Sequence, residues 1–82
     1  MVSAFVLIRV PAKQSLVLIQ ELKAVPQVKE AAGVYGDADV VVKLEAGDMR
    51  ELDKIVFQTI QMRKDVELTR TYLVIEDQHW KQ

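Results

Sequence analysis

The sequence contains no cysteine, so neither a disulfide nor a thiolate metal site can staple the chain. Glycine and proline are scarce, at three and two residues, so breaks in regular structure fall at a few legible places. There is no basic run of five or more residues; 11 basic and 12 acidic side chains leave a formal net charge of −1. Nucleic-acid binding leans on a positive patch that neutralises phosphates, and this charge balance offers none. Long apolar runs are also missing. The segment from Val2 to Ile8 is short, follows no basic stretch and is closed by Arg9. It falls far below the roughly 20 residues of a membrane-spanning helix and does not read as a secretory signal. The expectation is a cytoplasmic protein with no membrane or nucleic-acid partner. The single histidine, His79, and scattered carboxylates give no metal-ligand spacing. No nucleophile–base pair and no phosphate-cradling glycine loop is present, so neither a catalytic role nor a cofactor is expected.

What the chain does have is apolar surface. Half of its 82 residues are hydrophobic. A chain of this length buries only about 60% of the surface its unfolded form exposes and is marginal alone. With covalent staples excluded, association is the remaining way to gain buried area, and a homo-oligomer is expected.

Val2 to Val10 is rich in β-branched and aromatic residues and reads as a strand. Its alternation sets Val6, Ile8 and Val10 on one face against Phe5, Leu7 and Arg9 on the other. Pro11 ends it and suits the first turn of a helix over Ala12 to Ala24. There Leu18, Ile19 and Leu22 form the buried stripe, widened by Leu16 and Val17. Pro26 forces the helix to stop near Val25. Val28 to Tyr35 is a second strand, Gly36-Asp37-Ala38-Asp39 a tight turn, and Val40 to Glu45 a third strand, making a hairpin. Asp48 and Glu51 have capping-box spacing ahead of a helix from about Met49 to Met62, striped by Leu52, Ile55, Val56 and Ile60. Val66 to Ile75 is the last strand. Thr69, Thr71, Leu73 and Ile75 share one face of it, and Leu68, Arg70, Tyr72 and Val74 the other.

This order implies an α+β, ferredoxin-like βαββαβ fold: one antiparallel sheet with both helices on one face. Residues 1–76 make a single domain and 77–82 a polar C-terminal tail. The helix-free face would carry Phe5 and Leu7, and an open apolar sheet face predicts dimerisation through it.

The stretch from Val34 to Lys43, with Gly36, two residues, Asp39 and then an apolar strand, resembles the signature hairpin of the Lrp/AsnC effector-binding, or RAM, domain. Val28-Lys29-Glu30-Ala31 before it fits the same pattern. So do Val66, Thr69, Thr71 and Leu73-Val74-Ile75 after it, and the likeness spans about Ala4 to Ile75. Full-length members of that family carry an N-terminal helix-turn-helix domain, whereas this sequence starts directly at the first effector-domain strand and so resembles the stand-alone RAM proteins. The resemblance implies a sensor that binds a free amino acid in clefts between dimers, beside the glycine turn. It implies dimers packed sheet to sheet and assembled into rings such as octamers. A full-length Lrp/AsnC-type regulator is the implied protein partner. Carried over residue by residue, the ligand contacts are Gly36 and Asp39, with neighbours Tyr35, Asp37 and Ala38, and further lining from Thr69 and Thr71. Many relatives have an aromatic residue where Ala38 stands, so the effector's identity does not carry over.

The residues themselves support more than one reading. Glycine permits close backbone approach and positive φ. Exposed amides can take a carboxylate, and Asp39 can pair with an ammonium. Gly and Asp also dominate ordinary turns. Tyr35 could wall a cleft or pack in an interface. The Thr69 and Thr71 hydroxyls could bind a polar ligand, and threonine is also a common strand residue. Arg70 suits a cross-strand ion pair. Met49, Phe57 and Met62 lie off the main stripe of the second helix, as periphery or as a subunit contact. His79 and Trp80 belong to the tail, free or docked on a neighbouring subunit. Two further function classes stay open beside the sensor: a small ferredoxin-like dimeric enzyme, and an interaction partner that binds nothing small.

Overall fold

A computed structural model describes residues 1–75. The tail residues His79 and Trp80 lie outside that range. In chain order the elements are β1 (Val2–Arg9), α1 (Ser15–Lys23), β2 (Val28–Gly33), β3 (Val40–Ala46), α2 (Met49–Ile55) and β4 (Leu68–Leu73). The end of α2 runs on without a break into a π-helical segment, Val56–Gln61. The strands form one sheet in the order β2-β3-β1-β4, with every neighbouring pair antiparallel. This is the βαββαβ ferredoxin-like arrangement that the sequence implies.

Alternation fixes which face each strand buries. In β1, Ala4, Val6 and Ile8 are buried; in β3, Val40, Val42, Leu44 and Ala46 are. They pack with Leu18 and Leu22 of α1, Leu52 and Ile55 of α2, and Val56 and Ile60 of the π-helical segment in one core. Full burial of a Val, Leu or Ile side chain contributes about 1.5–3 kcal/mol relative to exposure, so this cluster is what holds the helices to the sheet. The opposite face is open. Phe5 and Tyr72 are directly paired across β1 and β4, Leu7 is paired with Val41 on one side and Arg70 on the other, and Leu68 faces Arg9. Phe5, Leu68 and Tyr72 are exposed, and the Lys43 ammonium lies 5.9 Å from the Phe5 ring centroid.

The structure corrects several local expectations. Helix α1 begins at Ser15 rather than Ala12. Lys13 has φ 76°, a left-handed conformation that no right-handed helix accommodates, and the Gln14 amide closes this turn on the Pro11 carbonyl at 3.1 Å. Leu16 and Val17 do not widen the buried stripe; they are exposed, because only Leu18, Leu22 and in part Ile19 point at the sheet. Strand β2 stops at Gly33, two residues early, where the Val34 amide turns to the Asp39 carbonyl at 3.0 Å. Strand β4 starts at Leu68 and ends at Leu73, inside the expected Val66 to Ile75. At the start of α2 the Asp48 side chain accepts from the Glu51 amide at 2.8 Å, as its spacing implies. Glu51 reaches back to the amide of Gly47, at 2.7 Å, one residue earlier than a reciprocal capping box would have it. Its other oxygen accepts from Gln27 at 3.0 Å, tying the approach to β2 onto α2. Arg63, just past the π-helical segment, bonds both oxygens of Asp65 at 3.0 and 3.1 Å and also pairs with Glu21 of α1. The guanidinium holds the Asp65 carboxyl below its usual range.

Candidate ligand-binding site

The β2–β3 turn is built from three backbone demands. Gly36 has φ +129° with open space where a side chain would stand. That conformation is natural to glycine and strained for other residues. The Val34 amide and Asp39 carbonyl close the turn, and the Asp39 amide then donates to the Ile8 carbonyl at 2.9 Å, pinning it to the end of β1. The Asp39 carboxylate accepts the Val10 amide proton at 3.0 Å. Between these anchors Tyr35, Gly36 and Asp37 are exposed, and Ala38 is buried. Among the described residues, the amides of Tyr35, Gly36 and Asp37 donate to no protein acceptor. The turn therefore presents free backbone donors beside a partly committed carboxylate.

Thr69 and Thr71 are elsewhere. They pair with Ile8 and Val6 of β1, so β1 lies between them and the strand that follows the turn. Both are on the helix-facing side of the sheet. The Thr69 hydroxyl takes a 3.4 Å contact from the Gln61 amide. Thr71 lines a groove of about 440 Å³ between β4 and the α2–π-helical segment. Within one subunit, then, the structure brings Tyr35, Gly36, Asp37, Ala38 and Asp39 together and sets the threonine pair apart from them.

The groove was only half legible. Met49 and Phe57 stood out as off-stripe residues, but Asp53 and Gln61, which line the same groove, did not. The available signal was spacing: Met49, Asp53, Phe57 and Gln61 are four residues apart. In an α-helix that spacing drifts around the axis; the wider i→i+5 turns of a π-helical segment let later positions keep facing the same way. Nothing in the sequence announces that π-helical segment.

Among the described residues no cluster of His, Cys, Asp or Glu could hold a metal ion, and no helix is long and apolar enough to cross a membrane. Among the described residues no polar or charged side chain is buried.

One split-βαβ fold hosts many functions, so the class of this domain is read from its relatives. This chain is a member of the Lrp/AsnC ligand-binding domain family, whose model matches residues 3–79. Two solved structures support the placement. The protein FFRP-DM1 is 35% identical and superposes with a TM-score of 0.88, covering 92% of this chain and 100% of that one. A hypothetical protein from Pyrococcus horikoshii is 33% identical with a TM-score of 0.87, covering 100% of this chain and 99% of that one. A curated relative, homocitrate synthase of Sulfurisphaera tokodaii, is 40% identical over 57 residues. That match takes in 70% of this chain but only 12% of the enzyme's length.

Proposed function

We propose that the domain is an amino-acid sensor that regulates through assembly. A free amino acid sits against the Tyr35–Asp39 turn, its carboxylate taken by the unpartnered amides around Gly36 and Asp37. Its ammonium faces the Asp39 oxygen that Val10 does not use. Thr69 and Thr71 join this site from a neighbouring copy. Copies dimerise through the sheet face of Phe5 and Tyr72 and build on to a ring such as an octamer. Effector binding shifts that assembly, or the docking of a full-length regulator of the same family, by its differential affinity for the two states. The observation that carries this reading is the set of free amides at a turn whose central glycine has φ +129°. Membership of a ligand-binding family supports it.

The test is a thermal-shift screen against the twenty amino acids, since a ligand of the folded form raises its stability. A rise for one or a few, lost in Gly36→Val while the domain stays folded, is expected. No rise for any amino acid removes the sensor reading and leaves a protein-interaction module.

The homocitrate synthase match favours a second reading, in which the domain regulates a metabolic enzyme instead of transcription. Effector-dependent co-purification returns a DNA-binding regulator in the first case and a metabolic enzyme in the second.

A further inference from the structure

We propose that two copies of the domain close their open sheet faces with the strands crossed at roughly 90°, held by Arg70 of one copy on Glu45 of the other and by Arg9 on Glu30. The inference rests on the sheet-face dimer proposed above and adds to it the orientation and the residues that select it.

Strand register places the charges. Across the sheet one row of the open face runs Glu30, Lys43, Phe5 and Tyr72, and the next runs Ala32, Val41, Leu7 and Arg70. Beyond the first row Glu45 stands opposite Ser3, and beyond the second Arg9 stands opposite Leu68. Arg9 and Arg70 therefore share one corner of the face, and Glu30 and Glu45 share the corner diagonally across from it. Phe5 and Leu7 fill the middle, where the Lys43 ammonium is taken up at the Phe5 ring. Arg9, Arg70 and Glu30 are exposed and Glu45 is half-buried. The ion pairs among the described residues are those of Arg63, so none of the four corner charges is paired within the subunit.

Two copies packed face to face are related by a two-fold axis lying between the sheets. Sheets pack in two classes, aligned or orthogonal. In the aligned class the axis runs along the strands or straight across them. Arg70 then lies over Ala32 or Tyr72 of the second copy, and Glu30 over the other of that pair, so charges are desolvated without a partner. In the orthogonal class the axis runs on the diagonal, and the basic corner of each copy lies over the acidic corner of the other. Strands about 4.8 Å apart, with same-face residues about 7 Å apart along each, then set Arg70 over Glu45 and Arg9 over Glu30. The sheets stand about 10 Å apart, a gap that facing arginine and glutamate side chains close. The two-fold axis repeats each pair, so four ion pairs surround the apolar centre.

The test is sedimentation equilibrium of the whole protein and its charge-swapped variants at low ionic strength. Arg70→Glu and Glu45→Arg each set like charges together and are each expected to weaken the dimer at least about tenfold. The double variant Arg70→Glu/Glu45→Arg is expected to return to within about threefold of wild type, the sign of a direct pair. Arg70→Glu/Glu30→Arg is expected to associate no better than Arg70→Glu alone, because Glu30 faces Arg9. Circular dichroism verifies that each variant folds, and rescue by the second swap separates lost pairing from lost structure. A wild-type protein that is a monomer at all concentrations overturns the dimer reading and this orientation with it. With a wild-type dimer in hand, the orientation alone is overturned by single swaps that associate like wild type, by failure of Glu45→Arg to rescue, or by equal rescue from Glu30→Arg.

Discussion

The carboxylate of Asp39 accepts the amide proton of Val10, 29 residues earlier in the chain, at 3.0 Å. This contact locks the β2–β3 turn to the residue just past β1, and it makes Asp39 a structural residue whatever else it does. Asp39→Ala is therefore no clean test of ligand binding, because the substitution leaves the amide of a buried residue, Val10, without its acceptor. Asp39→Ala is expected to cost about 1–3 kcal/mol, the penalty for an unsatisfied part-buried donor. Asp39→Asn retains an oxygen acceptor and is expected to cost less. Urea unfolding of the three proteins measures both, and equal midpoints for wild type and Asp39→Ala would show the bond to be energetically idle.

Phe5 and Tyr72 are paired on the open face of the sheet, and both remain exposed in the isolated subunit. Burying them in a dimer removes apolar area from water; a carboxylate placed there would have to be desolvated without a partner. Phe5→Asp is expected to convert the proposed dimer to monomer and to lower the apparent stability in a concentration-dependent way. Analytical ultracentrifugation reads the first effect. A wild-type protein that sediments as a monomer would remove the sheet-face dimer.

Arg63 and Asp65 govern an acid-sensitive contact. The hydrogen bonds from Arg63 hold the Asp65 carboxyl below its usual 3.8. A depressed folded-state pKa contributes stability above the unfolded value, and that stability is lost as pH falls through the depressed value. The loss attributable to this pair is therefore expected below about pH 4 and absent at neutral pH. Both side chains keep roughly a fifth of their surface in water, at 23% and 22%, so the contribution is about 1 kcal/mol or less. Asp65→Asn should be less stable than wild type at neutral pH, with the gap closing in acid. A gap that persists at pH 2 would mean that packing, not charge, makes the difference.

Much of the fold was legible because it depends on periodicity. The two-residue repeat of β1 and β3 and the stripe Leu52, Ile55, Val56 and Ile60 of the second helix state which side chains are buried, and the core contains them. Element order then leaves one economical packing. Boundaries were less legible. Lys13 has no sequence feature that demands a left-handed backbone, and Leu16 and Val17 carry apolar character that helical position overrides.

By itself the sequence determined the split-βαβ order, the open apolar sheet face and the glycine at the centre of the turn, because alternation, helical spacing and backbone freedom are properties of neighbouring residues. Only the tertiary structure decided that Asp39 is bonded to Val10, that the threonines stand across β1 from the turn, and that α2 and the π-helical segment together set Asp53, Phe57 and Gln61 along one groove. Those facts depend on strand register and on residues far apart in the chain. Register is fixed by the packing of the whole sheet rather than by any local run of residues.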